Sequence, residues 1–100
     1  MPLSCDVMFV GILTVELVVY DAGSLKSKRS VVKGLKDRIR SRFNVSVAEV
    51  DNQELWQRAT LGVACVSGEK AFTVDVLNKV VDLIRSNTGV ELIDYQVEIL

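Results

Sequence analysis

Histidine is missing from the sequence, and with it the commonest general acid–base group and one of the two usual structural zinc ligands. Cysteine is nearly as scarce. Cys5 and Cys65 are too few for a disulfide framework or a zinc site, and Cys65 falls in an apolar run that suits a small core residue. Proline occurs once, at Pro2, in a start without periodicity that reads as a flexible leader over residues 1–7, with Cys5 inside it. Long hydrophobic runs are lacking too: the longest mostly apolar stretch, Val7 to Val15, stops at Glu16 and follows no basic residue. It is too short for a membrane span and lacks the flank of a signal peptide, so a cytoplasmic protein with no membrane partner is expected. No glycine-rich phosphate loop, nucleophile elbow, metalloprotease helix or EF-hand is present. Catalysis would fall to carboxylates, Lys, Tyr or Cys. No acid–base pair presents itself among them, so we expect no enzyme and no cofactor.

Acid is also nearly absent from one segment, and that segment organises the rest. From Ser24 to Arg42 the chain carries Lys26, Lys28, Arg29, Lys33, Lys36, Arg38, Arg40 and Arg42 against Asp37 alone, a net of +7, which leaves −8 on the remaining 81 residues. At about 100° per residue, Val32, Leu35 and Ile39 form an apolar stripe, and Lys26, Arg29, Lys33, Lys36 and Arg40 form a wholly basic stripe beside it. The spacing predicts one amphipathic helix over 25–42 with Ser24 as N-cap. Like charges at i,i+3 and i,i+4 repel by roughly 0.2–0.5 kcal/mol per pair. Lys26, Lys28 and Arg29 also oppose the macrodipole at the helix N-terminus. A bound anion sharing the free first-turn amides would relieve both, and so would plain solvation of a basic face.

The remaining elements follow in order. Met8 to Tyr20 is β-branched and aliphatic with period two and predicts a central strand, broken by Asp21-Ala22-Gly23. Phe43 to Val50 predicts a second strand, a polar connection through Trp56 and Arg58 follows, and Ala59 to Ser67 returns as a third strand with Gly62 marking a bulge or close approach. Trp56 reads either as a stacking platform or as a lid on the core edge. Lys70 to Asn87 predicts a second helix with Val74, Leu77, Val80, Val81 and Ile84 at helical spacing and Gly89 at C′. Val90 to Leu100 closes as a strand, with Ile93, Tyr95, Val97 and Ile99 on one side.

The order β-α-β-β-α-β over residues 8–100, with no linker or repeat, predicts a single α+β domain. It is the ferredoxin-like sandwich, a four-stranded antiparallel sheet with two helices on one face. Right-handed crossovers put the first and third strands in the centre. They also gather the start of the basic helix, the Trp56 connection and the Gly89 turn at one end. The candidate anion or nucleic-acid contacts are Lys26, Lys28, Arg29, Lys33, Lys36, Arg40, Trp56 and Arg58. The helix-free sheet face, which includes Ile12, Thr14, Thr60, Gly62 and Ala64, is apolar enough for burial in a homodimer. Base stacking on the central strands is not expected, since Phe9 stands at the start of the first and the third has no aromatic. No arginine-bearing phosphate loop of the acylphosphatase type follows the first strand, and Glu49, Asp51 and Glu54 read as solvated carboxylates rather than metal ligands.

Met8-Phe9-Val10-Gly11, Ser24-Leu25-Lys26-Ser27-Lys28-Arg29 and the block from Arg42 through Trp56 to Gly62 resemble the YlxP-like family of small bacterial proteins of unknown function. The resemblance covers Met8 onward. It implies the ferredoxin-like fold, a bacterial cytoplasmic protein and an association with translation and ribosome-maturation genes, and it implies no catalytic residue. Three readings follow. The first is an RNA-binding or ribosome-associated module using the basic helix, with ribosomal RNA or a ribosomal subunit as partner. The second is a protein-interaction or homodimeric module, and the third is a small-anion sensor or enzyme at the helix N-terminus.

Overall fold

The computed structural model describes residues 7–100, in which the elements run β1 (Phe9–Val19), α1 (Leu25–Arg42), β2 (Ser46–Asp51), β3 (Arg58–Ser67), α2 (Lys70–Arg85) and β4 (Val90–Ile99). The leader expected over residues 1–7, Cys5 included, lies outside the described residues except for Val7. The strands form one antiparallel sheet in the order β2-β3-β1-β4, so β1 and β3 are central as expected, and both helices cover one face. This is the ferredoxin-like α+β sandwich. Strand alternation explains the core: Leu13, Val15, Leu17 and Val19 of β1 are fully buried beneath the helices, while the residues between them line the open face. Burying each such side chain contributes about 1.5–3 kcal/mol.

Five boundaries or roles differ from the sequence expectation. Phe43 is not the start of β2. Its backbone N–H still donates to Ile39 O, so it caps α1, and the chain turns through Val45 before pairing begins at Ser46. Ile93 does not share a face with Tyr95. The β1–β4 register shifts between Glu16 and Leu17, leaving Ile93 as the extra residue of a bulge, half exposed, while Val90 and Leu92 turn to the core. A second shift, between Glu49 and Asp51, frees Val50 to fold its side chain 3.0 Å from where a Cβ on Gly62 would stand. Gly62 is thus approached by a side chain, and the bulge lies in the partner strand. Gly89 has no positive φ and caps no helix; its carbonyl accepts from Tyr20 N–H, and its N–H donates to Asn87 Oδ1. In α2 the buried stripe begins at Thr73 rather than Val74, and Thr73 is held by Ser67 and by the carbonyl of Glu69.

Candidate functional site

The start of α1 is closed by its own side chains. Ser24 Oγ accepts from Ser27 N–H and Ser27 Oγ accepts from Ser24 N–H, a capping box that satisfies these two amides without an added anion. The apolar stripe contains one more member than the hydrophobic residues reveal. Lys28, Val32, Leu35 and Ile39, spaced 4, 3, 4, are the buried residues of the helix. Lys28 has no exposed surface; its ammonium donates to Glu49 Oε2 at 2.6 Å and to the carbonyl of Asn52 at 2.8 Å, with Gln53 O at 3.4 Å. It is removed from any anion site, because an uncompensated buried ammonium is far costlier than one paired and bonded. Glu49 is correspondingly not a solvated carboxylate; its side chain is largely covered by this pair.

The exposed stripe is also less uniformly free than its sequence implies. Asp37 lies at its border and pairs with Lys33 at 2.9 Å and with Arg40 at 3.5 Å, and Arg40 donates its second guanidinium nitrogen to Val47 O on the edge strand. The Lys33 hydrogen bond holds the Asp37 carboxyl below its ordinary pKa, with Arg40 and Lys36 adding attraction. Lys26, Arg29 and Lys36 remain on that flank with no carboxylate within bonding distance among the described residues, as do Arg38 and Arg42 on the opposite flank, toward α2.

Three loops meet at the N-terminal end of α1. Val19 N–H donates to Gln57 O, Tyr20 N–H to Gly89 O, and Lys28 reaches Asn52. Asn52 adopts φ 62° and bonds in two directions: its carbonyl receives Lys28, and its amide donates to Thr60 Oγ1, which donates to Glu16 Oε2 on the open face. Arg58 stands 4.0 Å from that same carboxylate. Trp56 is half exposed on the connecting loop and does not lid the core. The eight candidates therefore divide. Lys26, Arg29, Lys36, Trp56 and Arg58 are surface groups, Lys33 and Arg40 are shared with Asp37, and Lys28 is internal.

At the other end of α1 lies a groove of about 260 Å³ that sequence reasoning missed, lined by Arg42, Phe43, Asn44, Cys65, Val66, Phe72 and Val76. Burial pushes the Cys65 thiol up, so the floor is uncharged at neutral pH. The signal that could have found it is Phe72, a large apolar residue off the buried stripe of α2 and half exposed. No group of three or more Cys, Asp or Glu among the described residues is placed to hold a metal, and no helix among them is long and apolar enough to cross a membrane.

Fold and surface together define a small ferredoxin-like α+β protein with one strongly basic helix. The chain belongs to the family described as "Protein of unknown function (DUF503)", whose model matches residues 10–97. It is 40% identical over 82 residues to the uncharacterized protein YlxP of Bacillus subtilis (strain 168), covering 82% of this chain and 89% of that protein. Among solved structures it is similar to the de novo designed protein Foldit4, with a TM-score of 0.55 and 12% identity over 93% of this chain and 96% of that one. At that identity the likeness concerns the fold alone.

Proposed function

We propose that this protein is a non-enzymatic RNA-binding module, with ribosomal RNA or a ribosomal subunit as its partner and α1 as the contact. The observation that carries this reading is the flank of α1 on which Lys26, Arg29 and Lys36 lack carboxylate partners among the described residues. Glu49, Asp51 and Glu54 lie near α1, on β2 and the loop after it, but Glu49 is taken up by Lys28 and others lie farther away. Glu91, Asp94 and Glu98 line β4, the edge farthest from β2, while α1 packs toward β2. The basic flank therefore offers a polyanion a local approach despite the overall charge of −1 and acidic pI. Trp56, exposed on the β2–β3 loop beyond the start of α1, is available as a further contact, while Arg58 lies on the open sheet face beside Glu16.

The test is binding to purified bacterial ribosomal subunits and structured ribosomal RNA across a salt series. Affinity should fall linearly in log salt, and Lys26→Glu/Arg29→Glu/Lys36→Glu should remove most of it while leaving circular dichroism unchanged. Absence of binding by the unaltered protein at low salt would sink this reading. A second one would then lead, a homodimer through the open sheet face, where Val50 and Val66 are 53% and 60% exposed beside Ile12 and Ala64. A small-anion site at the N-terminus of α1 is not proposed, since Lys28 is engaged internally and Ser24 and Ser27 cap the helix.

A further inference from the structure

At the end of the molecule opposite Trp56, β2 stops short of its neighbour. Pairing of β2 with β3 begins at Ser46 opposite Ala64, while β3 runs on through Cys65 and Val66 to Ser67. The groove occupies the space this leaves, between the end of α1 and the start of α2. We infer that it holds one unpaired nucleobase of a single-stranded RNA, the ring against Phe43 and Phe72 and the adjoining phosphate on Arg42. This rests on the RNA reading and adds to it a second, chemically different contact.

Four observations favour that occupant. Phe72 is 54% exposed although the other large apolar side chains of α2 are turned toward the core, so an aromatic surface faces the groove with nothing covering it. The volume of about 260 Å³ falls below the roughly 300–1,000 Å³ that takes a whole drug-sized ligand, which suits a single flat ring. The polar groups at the rim are an amide, Asn44, able to donate to and accept from a base edge, and a guanidinium, Arg42. Arg38 lies one helical turn behind Arg42, and neither has a carboxylate partner among the described residues, so charge at the mouth is complementary to a phosphate backbone. The central strands lack the aromatic pair that other sheets of this kind use for stacking, and this groove supplies one elsewhere. Aromatic side chains beside a basic track are the usual means of holding single strands.

The test compares a labelled ten-nucleotide single-stranded RNA with an abasic ribose-phosphate strand of equal length, by fluorescence anisotropy at several salt concentrations. The unaltered protein should prefer the base-bearing strand by at least about fivefold. Phe72→Ala should bring that ratio near one without altering the salt slope, and Phe72→Trp should retain it. A preference that survives Phe72→Ala, or no preference in the unaltered protein, would overturn the groove and leave the basic helix standing. Failure of both strands to bind at low salt would likewise overturn the groove, whereas the helix reading falls only if ribosomal subunits and structured RNA also fail to bind. A dimer in sedimentation that Phe72→Ala disperses would assign the groove to a second copy instead.

Discussion

The ammonium of Lys28 and the carboxylate of Glu49 meet 2.6 Å apart beneath α1, and the same ammonium bonds the Asn52 carbonyl where the β2–β3 hairpin turns. One side chain thus fastens the basic helix to the edge strand and to the loop that carries Trp56. Asn52 passes the connection through the hairpin to Thr60 and Glu16 on the open face, so the loop is anchored from both sides of the sheet.

Lys28→Met should therefore destabilise the protein by about 3 kcal/mol, the low end of the cost of orphaning a buried ion, because Glu49 retains some exposure. Lys28→Met combined with Glu49→Met should cost less than the sum of the single variants, since neither charge is then left alone. Urea denaturation of the four proteins checks this. Full additivity would mean that the two groups do not stabilise each other. Trp56 fluorescence in folded Lys28→Met should also report a freer loop, through a lower anisotropy.

The order of elements was legible because each one is amphipathic at its own period, and the sandwich followed from that order alone. Lys28 was legible in principle as well. It stands four residues before Val32 in the series continued by Leu35 and Ile39, but its charge hid its place on the buried stripe. The β4 bulge likewise leaves a trace, since the inward residues Val90 and Leu92 change phase before Tyr95, Val97 and Ile99. What no local pattern contains is a partner far along the chain. Glu49 looked solvated because the lysine that covers it lies 21 residues earlier, and the Phe72 groove is built from three separated segments.

Asp37 offsets part of the positive charge of α1 through its bonds to Lys33 and Arg40. Its folded pKa lies below the ordinary value, about 3.9 when unperturbed, so its contribution to stability is present above that value and is lost as pH falls through the folded pKa. In a carbon-detected NMR titration the Asp37 midpoint should lie below that of an ordinary aspartate and rise toward it in Lys33→Met. Asp37→Asn should release Lys33 and Arg40 to the surface, tightening RNA binding and steepening its salt dependence. Unchanged binding in Asp37→Asn would show that this part of the helix does not face the nucleic acid.

Gly34 separates a structural from a functional use of α1. It lies mid-helix on the exposed side, and a Cβ built there meets nothing within 4 Å. Its φ is not positive, so the backbone does not require glycine. Gly34→Ala should stabilise the protein by about 0.5–1 kcal/mol, because alanine loses less chain entropy on entering a helix. That corresponds to a rise in Tm of about 2–8 °C for a domain of this size, read by calorimetry. A fall in Tm would mean that the helix is strained at this point. If Tm rises while affinity for RNA drops, the missing side chain is space that the partner fills, and Gly34 marks where the nucleic acid comes closest to the backbone of α1. If both stability and binding hold, the contact is made by the long cationic side chains alone, which reach past a methyl group without hindrance.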